Sequence, residues 1–153
     1  MQLSPAGFDL IKRSEGFRAQ TYLDVAGLPT IGYGHRLVHP EVYPSGITPA
    51  QAQVILQWDV RDAEQSVARL VQVPLAQGQF DALVDFVFNL GAARLAASTL
   101  LRHLNASRYA EAATELLRWD HAAGRELDAL RARRQAELDL WNAAAAPAQQ
   151  SAA

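Results

Sequence analysis

Cysteine is absent from this 153-residue chain, which removes disulfides, thiol nucleophiles and cysteine-ligated zinc in one step. The fold must hold without covalent staples. Excess positive charge is absent too. Fourteen Lys+Arg against sixteen Asp+Glu leave a net charge of −2 and a pI near 6.1, so no general positive field invites nucleic acid. Lysine is nearly missing, with Lys12 the single example, while alanine is abundant. That bias reflects a GC-rich coding sequence and carries no chemistry. No apolar run approaches the roughly 18 residues of a membrane span, and the N-terminal MQLSPAGFDLIKRSEGF lacks the apolar stretch of a signal peptide. Synthesis is therefore expected to give a soluble, cytosolic product with no stable membrane insertion.

What is present is enough for a core. Half the residues are hydrophobic and 20% are charged, the balance of one ordinary globular domain. Ser4-Pro5 followed by Phe8, Leu10 and Ile11 predicts a short helix from about Pro5 to Ser14, closed by Glu15-Gly16. From Arg18 to Tyr33, β-branched and aromatic residues flank Asp24-Val-Ala-Gly27-Leu-Pro29, the pattern of a hairpin. Gly32 and Gly34 interleave with Ile31 and Tyr33, which suits close backbone approach or a twisted strand. His39 to Gly46, with Pro40 and Pro44, reads as a loop.

Thr48-Pro49-Ala50-Gln51 resembles a capping box, and Val54, Ile55, Trp58, Val67, Leu70 and Val71 behind it predict one long helix from about Pro49 to Val71. Pro74 breaks it. Phe80, Leu83, Val84, Val87, Phe88 and Leu90 then mark a core helix apolar over most of its surface, ending at Gly91. Ser98 and Ser107 are candidate N-caps for helices around Thr99–Leu104 and Arg108–Trp119, and a last helix is expected at about Arg125–Ala144. The Ala-rich residues 145–153 should form a frayed or disordered tail. The fold class is α+β, predominantly helical, with segregated elements.

Two carboxylates flank the passage from the first helix into the hairpin. Partial negative charge at a helix C-terminus disfavours ionising Glu15, which suits a general acid. Asp24, beside turn backbone N–H groups, is more easily kept ionised, and Thr30 offers a hydroxyl on a stiff β-branched side chain to hold a water. These are the complementary roles that glycoside hydrolysis needs. The residue types alone are equally those of acidic groups that cap or solvate turns.

The wording of the segment is more specific. Glu15-Gly16-Phe17-Arg18, then Asp24-Val-Ala-Gly27-Leu-Pro-Thr30-Ile-Gly32-Tyr-Gly34-His35, resembles the catalytic stretch of the phage-type lysozymes, endolysins of glycoside hydrolase family 24. Their pattern of Glu, eight residues, Asp, five residues, Thr is matched without a gap. The resemblance continues through Phe86-Val-Phe88-Asn89-Leu-Gly91, Ser98-Thr99-Leu100-Leu101, Trp119 and Leu130-Arg131-Ala-Arg133-Arg134-Gln-Ala-Glu137, and so covers nearly all of the chain to about Trp141. Ala129 departs from the glycine usual in lambdoid members, which bears on that loop's backbone shape and not on the chemistry.

The resemblance implies a lysozyme-like fold over residues 1–144, with a small N-terminal β-hairpin lobe at about 16–47, a helical C-terminal lobe and a cleft between them. It implies hydrolysis of the β-1,4 bond between N-acetylmuramic acid and N-acetylglucosamine in peptidoglycan, without metal or cofactor and with inversion. Glu15 is then the acid, and Asp24 with Thr30 orients the attacking water. The protein is expected to be a monomer, made in the host cytoplasm and acting on the wall from the periplasm after a phage-encoded, holin-type pore opens the membrane. The alternatives are a lytic transglycosylase, against which Asp24 and Thr30 count, and a non-catalytic wall-binding module.

Other residues have blander readings. His35 more often orders its lobe by hydrogen bonds than moves protons. His35 and His39 lie four apart, but Pro40 and the glycines argue against a helix and hence against a zinc site. His103 and His121 read as surface or packing residues. Gly32-x-Gly34 lacks a third glycine and opens no helix, and no Gly-x-Ser-x-Gly occurs. Phe88 and Asn89 are candidates to line a sugar cleft, with Phe88 equally suited to the core, and Arg36 is a candidate for sugar or peptide contact. Arg131, Arg133 and Arg134 are expected on a solvated face, paired with Glu137 and Asp139.

Overall fold

The computed structural model describes residues 1–122 and 124–145. Its order is α1 (Pro5–Glu15), β1 (Arg18–Leu23), β2 (Pro29–Gly32), β3 (His35–Arg36), α2 (Pro49–Asp59), α3 (Arg61–Leu70), α4 (Gln77–Leu90), α5 (Ala92–Ala97), α6 (Thr99–Asn105), α7 (Tyr109–Leu116), β4 (His121–Ala122), β5 (Arg125–Glu126) and α8 (Asp128–Ala145). The chain divides into two compact units, one of residues 11–61 and one of residues 1–10 with 62 onward.

The smaller unit holds an antiparallel sheet in the order β1-β2-β3. Tyr22 stands opposite Thr30 on one side, and Thr30 opposite Arg36 on the other. The expected hairpin is therefore present with a third strand of two residues added to it. Ile31, Ile47 and Ala52 form the buried cluster beneath, with Tyr33, Leu37, Tyr43 and Ile55 packed against it. Thr48 caps α2 as expected: its Oγ1 accepts the Gln51 N–H at 3.2 Å and Gln51 Oε1 accepts the Thr48 N–H at 2.8 Å.

The long helix expected from Pro49 to Val71 is two helices, broken at Val60 where the two units divide. Val60 stays in a right-handed conformation, but its N–H is shared between Leu56 O and Trp58 O, a tightened turn that ends α2. Val54 and Trp58, which suggested the apolar face, are 53% and 60% exposed, and the Arg61 guanidinium stacks 3.7 Å from the Trp58 ring centroid. The buried phase is Ala52, Leu56, Val60, Ala63 and Val67. Small residues among them hid it from a reading weighted by bulk.

In the larger unit α4 is the core helix, buried continuously from Gly78 to Val87 and ended by Gly91 at φ 92°. It packs on α8 and α5, while α6 packs on α7. Ser98 caps α6, its Oγ accepting the Leu101 N–H at 3.0 Å. Ser107 does not cap the next helix. It takes a left-handed conformation at φ 58°, its N–H is held by Leu104 O, and Arg108 precedes the first turn of α7. The short α5 and the β4-β5 hairpin were not foreseen, and the hairpin delays the last helix to Asp128. Of the expected tail, Ala145 ends α8, and 146–153 lie outside the described residues.

The expectation of a solvated arginine face is overturned. Arg133 is 7% exposed and Arg134 fully buried, because α8 turns both toward α4. Arg133 donates through Nε and Nη2 to the two oxygens of Asp85, each at 2.9 Å. Arg134 Nη2 lies 2.7 Å from Glu137 Oε1 and donates to Asn89 Oδ1 at 3.0 Å, and its guanidinium sits 5.3 Å from the Phe86 ring centroid. Burial pushes the Glu137 carboxyl well above its ordinary range, and the negative charge of the neighbouring Asp85 acts the same way. Asp85 is the carboxylate that both arginines of this buried cluster face. Asp85→Asn keeps the shape but leaves two buried guanidinium groups short of it, and is expected to lower the unfolding free energy by about 3–5 kcal/mol in urea titrations.

Candidate active site

Helix α1 ends on Glu15, with Gly16 at φ 73° and its N–H on Lys12 O at 2.9 Å. The half-buried Glu15 carboxyl lies against the β2-β3 turn: a methyl group on Gly34 would sit 3.1 Å from Glu15 Oε2. Gly34 also has φ 80°, so the backbone conformation favours glycine there, and an added carbon would press on the end of the Glu15 side chain. A methyl group on Gly32, at φ 65°, would sit 3.1 Å from Ile47 Cδ1 and 3.3 Å from Ala52 Cβ, so the glycine lets the sheet seat on Ile47 and α2. The two glycines therefore serve different neighbours.

Asp24 begins the β1-β2 turn and spends its carboxylate on it. Oδ1 accepts the Ala26 N–H at 2.8 Å and the Leu28 N–H at 2.9 Å, and Oδ2 accepts Arg36 Nε–H at 3.1 Å. The Leu28 N–H above all, with the Ala26 N–H and the Arg36 guanidinium behind it, holds the Asp24 carboxyl below the ordinary carboxylate range against a smaller cost of desolvation. The same Leu28 residue accepts the Thr30 Oγ1 hydroxyl on its carbonyl at 3.0 Å. Asp24 and Thr30 are thus joined through one residue's backbone, and Thr30, a residue only 2% exposed, has its hydroxyl proton committed to that carbonyl.

His35 Nδ1 faces both oxygens of Asp59 on α2 at 3.0 and 2.9 Å, and Nε2 faces Glu41 Oε2 at 3.2 Å. Glu41 also accepts the Val38 N–H at 2.8 Å, which holds its carboxyl below the ordinary range, with His35 adding to the effect. Burial pushes Asp59 the other way, against the attraction of His35. Asp59 and Glu41 escaped the sequence reading. Asp59 is 24 residues from His35, and no local pattern announces a partner at that distance. A cavity of about 680 Å³ on this unit is lined by Gln20, Thr21, Pro29, Leu37, Glu41 and Tyr43 among others, and by none of Glu15, Asp24 or Thr30.

Glu15, Asp24, Thr30, Gly32, Gly34, His35 and Arg36 thus all lie in the smaller unit, while Phe88 and Asn89 belong to α4 of the larger one. Phe88 is half-buried, and the Asn89 side-chain oxygen is occupied by Arg134. His121 is exposed, with its Nδ1 against Asp120 Oδ1, and His103 is half-buried on α6. Among the described residues no group of three or more His, Asp or Glu is arranged to hold a metal ion.

A small antiparallel sheet beside a helix-terminal glutamate, joined to a predominantly helical chain, defines an α+β enzyme of the lysozyme type, and solved structures agree. The chain superposes on a crystal structure of a P22 lysozyme mutant with a TM-score of 0.84, at 39% identity over 93% of this chain and 99% of that one. It superposes on the muramidase domain of SpmX from Asticaccaulis excentricus with a TM-score of 0.83, at 36% identity over 92% and 97%. In sequence it is 41% identical to the endolysin of Salmonella phage P22 over 144 residues, 92% of this chain and 98% of the relative. Residues 12–137 match the family described as Phage lysozyme, and the chain belongs to that family of cell-wall-lytic enzymes.

Gly34→Ala tests the contact between the β2-β3 turn and Glu15. Urea unfolding is expected to show a loss of about 1–2 kcal/mol from the left-handed backbone, and lysis of sacculi is expected to slow roughly tenfold or more as Glu15 is displaced.

Proposed function

We propose that the chain hydrolyses the β-1,4 bond between N-acetylmuramic acid and N-acetylglucosamine in peptidoglycan, with Glu15 as general acid and Asp24 and Thr30 holding the attacking water. The observation that carries this reading is the Leu28 backbone, whose N–H holds Asp24 Oδ1 and whose carbonyl takes the Thr30 proton. That arrangement leaves two acceptors, Asp24 Oδ2 and Thr30 Oγ1. A water giving one proton to each keeps a lone pair for the anomeric carbon. Asp24, held ionised, then takes a proton as the C–O bond forms, while Glu15 gives its own to the leaving glycosidic oxygen as the old bond breaks.

An activated water held by two fixed groups, with no protein nucleophile in the step, corresponds to the inverting course of glycoside hydrolysis. Support for the reducing-end product comes from the Glu, Asp and Thr spacing and from membership in the phage lysozyme family. Phe88 and Asn89 are proposed as sugar contacts, Asn89 through its side-chain NH₂, since its oxygen is taken.

Digestion of purified Gram-negative sacculi, followed by mass spectrometry of the released muropeptides, tests the assignment. Wild type is expected to release fragments with hydrolysed muramic reducing ends, and Glu15→Gln to do so about 10²–10⁴-fold more slowly. Anhydro-muramic ends would instead make the enzyme a lytic transglycosylase. Binding without any soluble fragment would make it a wall-binding module.

A further inference from the structure

The Arg36 side chain touches a proposed reacting group, and that mechanism leaves it unused. Its guanidinium donates through Nε to Asp24 Oδ2, and the side chain is 64% exposed while that of Asp24 is 16% exposed. We propose that Arg36 is the positioning residue of the water-holding carboxylate: by occupying one side of Asp24 Oδ2 it fixes the single direction from which Asp24 can accept a proton from water. This rests on the reading of Asp24 and Thr30 as the groups that hold that water.

The count of acceptor sites leads there. An ionised carboxylate has two oxygens and about four lone-pair directions. Ala26 N–H and Leu28 N–H take both on Oδ1, so that oxygen is spent on closing the turn. Oδ2 then has two directions, of which Arg36 Nε–H takes one. Without Arg36 a water bound to Oδ2 has two places to sit, and with Arg36 it has one.

The sheet places Arg36 for this task. Its register partner is Thr30, so the two side chains leave the sheet on the same face. The preceding residue, His35, is held at Nδ1 by Asp59 and at Nε2 by Glu41. A strand of two residues has little pairing of its own, and these contacts fix it from α2 and from the 37–46 loop. Thr30 and Arg36 thus stand side by side on adjacent strands of one sheet, and Arg36 reaches Asp24.

The chemistry of the side chain matters as well as its charge. A guanidinium is planar and presents Nε–H along a fixed direction, whereas a lysine ammonium is a swivelling point charge. Two variants therefore separate direction from field. Arg36→Gln removes both, and Arg36→Lys keeps the positive charge while losing the aligned donor.

The experiment measures kcat, KM and the pH–rate profile on soluble glycan strands for wild type, Arg36→Gln and Arg36→Lys. It also follows the Asp24 carboxyl carbon by NMR through the acid range in wild type and Arg36→Gln. Since Asp24 is held below the ordinary carboxylate range partly by Arg36, removing Arg36 raises it, and the acid limb of activity moves to higher pH. Arg36→Gln is expected to lose roughly tenfold to a hundredfold in kcat with KM changed little, with both the acid limb and the Asp24 titration moved up. Arg36→Lys is expected to keep the acid limb near wild type and still lose kcat. An unchanged kcat and acid limb in Arg36→Gln would overturn the proposal, as would a raised KM at constant kcat, which would make Arg36 a substrate contact. An Asp24 titration that does not move overturns it independently of turnover. If wild type releases no hydrolysed ends, the proposed function fails on its own, and the titration still decides the Arg36–Asp24 coupling.

Discussion

The hydrogen bonds between the Asp24 carboxylate and the backbone of its own turn are the constraint on which the smaller unit depends. Oδ1 draws in the Ala26 and Leu28 N–H groups, and the Asp24 N–H meets the Leu28 carbonyl at 2.9 Å, so five residues fold back on one side chain. That closure sets where β2 begins, and with it the position of Thr30. A turn aspartate is usually a local device for satisfying backbone donors. Here the device leaves one carboxylate oxygen outside the turn, where Arg36 meets it. The cost of ordering the site is thus met by interactions the hairpin needs in any case.

A sheet with strands of six, four and two residues has little stability of its own, and the rest of the unit supplies what it lacks. Gly32 lets β2 come down onto Ile47 and Ala52, and Gly34 lets the following turn come up against Glu15. His35 ties the end of the sheet to Asp59 and Glu41. The Gly-x-Gly-His string is therefore a set of close approaches: each glycine admits a different neighbour, and the histidine reaches two carboxylates.

The larger unit solves a different problem. Its core contains Asp85, Arg133, Arg134 and Glu137, all at 7% exposure or less, among apolar side chains such as Phe86 and Trp141. Arg134 Nε and Nη1 and both Glu137 carboxyl oxygens have no hydrogen-bond partner among the described residues, so the cluster rests on the paired bonds of Arg133 to Asp85 more than on complete hydrogen bonding. Such a group ties α8 to α4 in one register, because a slip of one residue would bury the guanidinium groups without their carboxylates.

By itself the sequence determined the elements whose signals are local. The Thr48 capping box, the Ser98 cap, the Gly91 stop, the Asp24 turn and the gapless spacing of Glu15, Asp24 and Thr30 each lie within a few residues of their partners. Short-range chemistry leaves a pattern in the order of residues. What tertiary structure alone decided is every pairing made across distance: Asp59 with His35, Arg36 with Asp24, and Arg133 with Asp85. The reading of Arg133 and Arg134 as solvated failed because helical spacing gives their angular separation but not which side faces α4. The break at Val60 was missed for a related reason. Its buried phase runs through alanines, whose burial depends on what packs against them and not on their own bulk.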